Sequence, residues 1–275
     1  MARRMLALAL LLPALAFAGK KDKVDPDHAN HYRAVAPTGE DVKIGIEDAW
    51  ARDAQAKMKV TVVNDSADYV LFKAAETALD FAGQTFTPKA GLRGKFLIVQ
   101  PKDRGSRVLT ADGIGMHQPS MTFVPNGVYL VPKNAPPQKA DDLQVPLDRS
   151  SVKAGNFSCA VPGKIKQETD ETAIRFKCRY EGEGIGIVDP ASLQIRLEDG
   201  QKFVNDDRGM KPKIVQPGDE FKFDAVFHIS ARIIDMQFAT MHIVFNETFR
   251  EGQTRKVELK PMVLELDPGM TAAKN

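Results

Sequence analysis

The sequence predicts an all-β protein made of two tandem antiparallel β-sandwich domains that arose by internal duplication. Three observations lead there. Lys95-Phe96-Leu97-Ile98-Val99-Gln100-Pro101 returns as Lys211-Pro212-Lys213-Ile214-Val215-Gln216-Pro217, with five identities in seven at an offset of 116. Met116-His117-Gln118-Pro119-Ser120-Met121 returns as Met236-Gln237-Phe238-Ala239-Thr240-Met241 at an offset of 120. Short apolar–polar alternations, separated by turn formers roughly every 8–12 residues, run through both copies without a capped helical stripe. Repetition at a nearly constant spacing marks a duplicated unit. The chain therefore divides into a first domain over 40–148 and a second over 151–267, joined by the short polar run Asp148-Arg149-Ser150-Ser151.

Taken from the start, residues 1–18 have the form of a secretory signal. Arg3 and Arg4 are its basic end, residues 6–15 its apolar stretch, and Ala16-Phe17-Ala18 its small-x-small cleavage site. The apolar stretch is too short for a membrane span of about 20 residues. No Cys follows the cleavage site, so no bacterial lipid anchor is expected. Residues 19–39 are polar and read as a flexible leader.

Strands begin with the alternation of Val42, Ile44 and Ile46 and continue through Met58, Val60 and Val62 to the turn Asn64-Asp65-Ser66. Leu79 and Phe81 run into Gly83, and Phe86 opens a further strand. Met121 and Phe123 lead to Pro125-Asn126-Gly127, a dipeptide that favours a two-residue hairpin because both positions tolerate positive φ. Leu143, Val145 and Leu147 close the first copy. In the second copy Ile174, Phe176 and Cys178 match Met58, Val60 and Val62. Leu193, Ile195 and Leu197 enter the turn Asp199-Gly200. Phe221, Phe223, Ala225 and Phe227 face one way, with Lys222, Asp224 and His228 on the other face; Met262, Leu264 and Leu266 close the copy. Short helical pieces are expected at 51–57 and 74–79, and 268–275 is read as a tail. The short strands and regular turns resemble immunoglobulin-like domains in architecture. The Cys…Trp…Cys pattern of antibody domains is missing, since Trp50 is in one copy and both cysteines are in the other.

Cys159 and Cys178 each follow a Phe by two residues, which puts them on matching faces of neighbouring antiparallel strands. After export such a pair oxidises. The expected disulfide closes a short loop and contributes about 3 kcal/mol in the chain-entropy model.

The full chain has 38 basic and 36 acidic residues, and the signal removes two of the basic ones. A balanced mature charge leaves no field for nucleic acid or an anionic membrane. Candidate chemistry is sparse. Met116, His117 and Met121, or Met236, Met241 and His242, offer thioether and imidazole ligands for copper. Against this, Met121 and Met241 open core strands, and neither His recurs between the copies. Asp25, Asp27, His28 and His31 form a second cluster in the leader, and His228 lies on a polar strand face. Asp206-Asp207-Arg208-Gly209 lacks calcium-loop spacing. No nucleophile elbow or phosphate loop is present. Sequons occur at Asn64, Asn156 and Asn246.

The sequence thus points to a periplasmic or secreted, non-enzymatic module without cofactor. It would bind another protein of the cell envelope through end loops such as 64–69 and 133–138 or through a sheet edge. A copper-handling protein is the alternative. An enzyme would need a polar groove between the domains.

Overall fold

The computed structural model describes residues 25, 27–90, 96–207 and 210–275. The signal segment, the first part of the leader, Lys95, Arg208 and Gly209 lie outside the described residues. Strands make up 51% of the described residues and helix 5%, in several antiparallel sheets, none of them closed among those residues.

In the first half, Gln55–Asn64 lies between Val42–Ala51 and Asp103–Asp112. Tyr69–Phe72 lies between Leu97–Val99 and Val128–Val131, and Ala78–Phe81 between Gln84–Phe86 and Ser120–Val124. The second half has the same connections. Glu171–Tyr180 lies between Phe157–Ala160 and Glu220–His228, and Ile185–Val188 between Lys213–Val215 and Phe249–Gly252. Gln194–Leu197 lies between Lys202–Val204 and Met241–Val244. The period-2 pattern sets which faces are covered, because successive side chains on a strand point to opposite sides. Ile44, Ile46, Met58, Val60 and Val62 therefore meet Leu79, Phe81, Met121 and Phe123 in one core. Phe176, Phe223, Ala225 and Phe227 meet Ile195, Met241 and Ile243 in a second. A third, smaller core of Tyr69, Leu71, Val131 and Ala135 with Ile185, Ile187 and Ile214 joins the halves.

The closing strands do not stay with their own copies. Leu143–Val145, expected to close the first copy, pairs with Met241–Val244, and both Leu143 and Val145 are buried in the second core. Met262–Glu265 returns to pair with Ser120–Val124, and Met262 and Leu264 lie in the first core. Two strands of the same alternation fit either core, so local pattern alone does not assign them. The run 148–151 accordingly links two strands that both contribute to the second core.

The flexible leader is also corrected. Asn30–His31 and Val35–Thr38 both pair with Val42–Ala51, and Tyr32 is 1% exposed. The C-terminal segment covers the first part of this stretch. The helix Pro268–Lys274 is capped by Asp267, whose side chain accepts from the Met270 N–H. Thr271 Oγ1 accepts from the His31 N–H, and Asn275 exchanges two hydrogen bonds with the Ala29 backbone. Residues at opposite ends of the sequence thus cover one another.

Three local expectations need revision and one stands. Residues 51–57 form the hairpin between two long strands, and only Ala74–Glu76 of 74–79 is a helical (3₁₀) turn. Asn126-Gly127 does not join paired strands, because Ser120–Val124 and Val128–Val131 belong to different sheets. A Cβ on Gly127 would lie 2.1 Å from the Lys73 carbonyl oxygen, so glycine is required there for close backbone approach. Asp199-Gly200 does close a hairpin, with Gly200 at φ 90°.

Candidate functional site

The disulfide is where the sequence put it. Cys159 and Cys178 face one another on neighbouring antiparallel strands and are bonded, both nearly inaccessible to solvent. They lie within an aromatic core in which Phe157 meets Tyr180 at 4.6 Å and Phe176 stacks on Phe223 at 5.0 Å. A shallow depression over these strands is lined by Arg149, Lys153, Lys177, Arg179, Asp141 and Glu220. Four cations thus face two carboxylates: Lys177 pairs with Glu220 at 3.2 Å, Arg179 with Glu181 outside the depression at 3.2 Å, and Arg149 donates to the Asp142 carbonyl oxygen at 2.6 Å.

The repeated methionines are core residues. Met116, Met121, Met236 and Met241 are all at most 1% exposed, where Met fills irregular gaps. His242 lies on the Met241–Val244 strand, across from Gln144 and Arg196.

One juxtaposition was missed in the sequence because its members are 89 residues apart. His28 Nδ1 lies 2.8 Å from His117 Nε2, with ring centroids 5.0 Å apart. The two segments are clamped around them: Asn30 Nδ2 and Tyr32 Oη both donate to the Gln118 carbonyl oxygen. Burial, and secondarily the neighbouring His28, hold the His117 pKa below its ordinary value. Among the described residues no group of three or more His, Cys, Asp or Glu is arranged for a metal.

His228 bridges two carboxylates. Its Nδ1 lies 2.8 Å from Asp206 and its Nε2 3.2 Å from Glu171, which Lys166 contacts at 2.9 Å. The hydrogen bond with Asp206, with help from Glu171, raises its pKa. The two carboxylates sit on opposite edges of the ring, so this cluster fastens the 205–207 loop to the sheet and does not converge on one point.

The loops expected to receive a partner are partly taken up by internal contacts, while Ala67, Lys133, Asn134, Pro136 and Pro137 remain exposed. Asn64 is fully buried; its Nδ2 donates to the carbonyls of Asp68, Val99 and Gln100, which takes up the amide nitrogen of that sequon. Lys133 accepts from Arg250 through its carbonyl, Ala135 is in the joining core, and Gln138 donates to the Phe249 carbonyl. Segment 133–138 is therefore a connector between the halves.

A different loop is presented outward. In 229–240 Met236 is completely buried, its N–H donates to the Thr169 carbonyl, and its own carbonyl accepts from Gln167 Nε2. Further bonds from Ile233 and Ile234 to the Ser230 carbonyl, and from Phe238 to that of Asp235, fix the loop's course. On this anchored base Phe238 is 80% exposed and Ile233 51%. The corresponding loop of the first half also buries its methionine, Met116, and leaves Ile114 exposed. Alternation did not flag these residues because they lie in a loop without strand periodicity.

No protein-family profile matches the chain, and no curated protein does. Among solved structures it is aligned with the secreted serine protease VesC of Vibrio cholerae at 11% identity and a TM-score of 0.19. The alignment covers 75% of this chain and 48% of that one, so the chain spans about half the length of the protease. An HEPD of Streptomyces albus, solved with 2-hydroxyethylphosphonate and Fe(II), aligns at 8% identity and a TM-score of 0.12, over 90% of this chain and 79% of that one. Likenesses this weak carry no argument about fold or chemistry.

Among the described residues no helix is long and apolar enough to cross a membrane.

Proposed function

We propose that this is an exported, non-enzymatic protein of two duplicated, immunoglobulin-like β-sandwich lobes, and that it binds another protein of the cell envelope or extracellular space. The recurring pairing order and the repeated Ile-Val-Gln-Pro support the duplication. The exchanged strands favour lobes composed of 29–131 with 255–275, and of 137–252. The signal-like start and the disulfide support export.

One observation carries the binding role: Phe238 and Ile233 stand exposed on a loop whose base is locked by Met236. Exposing a large aromatic residue costs solvation free energy, and a pre-ordered loop loses little entropy on docking. Aromatic residues, Phe among them, are enriched at protein–protein interfaces relative to the rest of the surface. The test is retention of envelope proteins on immobilised wild-type chain and on a Phe238→Ser/Ile233→Ser variant at physiological salt. The reading expects a discrete protein on the wild type, reduced at least about tenfold on the variant. Equal retention on both would remove this loop as the contact.

A further inference from the structure

We propose that His28 and His117 form a copper(II) site that ties the N-terminal segment to the 113–119 loop. The argument begins with geometry. Two metal–nitrogen bonds of about 2.0 Å at a right angle place their nitrogens about 2.8 Å apart, whereas a tetrahedral angle places them about 3.3 Å apart. The facing nitrogens are separated by 2.8 Å. The pair therefore already has the spacing of adjacent positions in a tetragonal site, the geometry that favours copper(II), and copper(II) also stands highest in affinity among divalent first-row ions. A zinc ion would have to spread them by about 0.5 Å.

The pair is held ready from both sides. The His28 N–H donates to the Asp25 carbonyl, and the next residue, Ala29, is bonded to Asn275. Beside His117, the Met116 N–H donates to the Asp53 carbonyl and the Gln118 N–H to the Met116 carbonyl. Asn30 and Tyr32 then clamp one segment onto the other through the Gln118 carbonyl. A metal entering here replaces the hydrogen bond between the two rings. The proton now shared between the rings moves to the far nitrogen of its own imidazole, so both ligands are neutral and no net proton is released. Water fills the remaining positions, because no third ligating side chain joins the pair among the described residues. The buried methionines take no part.

The test is copper(II) titration of the full chain against a competing chelator, read by electron paramagnetic resonance, for wild type, His28→Gln, His117→Gln and a His228→Gln control. One equivalent with hyperfine structure from two nitrogens is expected. Each of the first two substitutions should weaken binding by more than the roughly 10–100-fold typical of losing an outer-shell partner, while the control leaves it unchanged. Trp50 fluorescence checks folding, and His28→Gln, at the edge of the fold, carries the test if His117→Gln unfolds. Unchanged affinity and spectrum in His28→Gln would overturn the proposal, as would binding of zinc but not copper.

Discussion

Replacing Leu264 by Ala tests the exchange of closing strands. Leu264 is fully buried, opposite Met121 and in the same core as Phe123, yet it belongs to a strand at the far end of the sequence. Truncating an enclosed Leu costs about 2–5 kcal/mol, and more when the surroundings cannot collapse. A two-sided β core resists collapse, so a loss of about 3 kcal/mol is expected. With a urea dependence of about 2 kcal/mol per molar, the unfolding midpoint falls by about 1.5 M. The single Trp supplies a local probe, since Trp50 lies on Val42–Ala51 in the first half. Equilibrium unfolding followed by Trp50 fluorescence should show the full shift for Leu264→Ala. Leu143→Ala, which empties a position in the second core, should shift that signal less. If Leu264→Ala leaves the Trp50 midpoint in place, or moves it less than Leu143→Ala does, the closing strand does not belong to the first core and the reasoning fails.

Replacing both Cys159 and Cys178 by Ser should lower stability by about 3 kcal/mol, measured as the urea midpoint by far-ultraviolet circular dichroism; no change would show that the bond is dispensable to the second core. The raised pKa of His228 fixes a direction of pH dependence. Its contribution is fully present below the unfolded-state value of about 6.5 and is lost as pH rises through the higher folded value. Wild type should therefore lose a small amount of stability between about pH 6 and pH 8 that His228→Gln does not lose, and identical profiles would contradict the bridge to Asp206 and Glu171.

Much of the architecture was legible because it is local. Phe223, Ala225 and Phe227 are buried as their alternation requires, and Cys159 lies opposite Cys178 as the Phe-x-Cys patterns imply. Partner choice was not legible. The strands holding Leu143 and Leu264 present the same kind of apolar stripe, and only the path of the whole chain decides which core each enters. Tyr32 was hidden by its polar neighbours, whose cover comes from residues about 240 positions away. A separation of 89 residues likewise hid the meeting of His28 and His117. Loop 229–240 lacks strand periodicity, so neither the burial of Met236 nor the exposure of Phe238 had a local signal.

The most direct test of the binding role is site-specific photo-crosslinking in intact envelope material. A crosslinking amino acid is placed at position 238, with position 263, which is also exposed but lies on the closing strand, as the control. The account predicts a discrete protein adduct from position 238 and none from position 263. No adduct from position 238, or the same adducts from both, would contradict it.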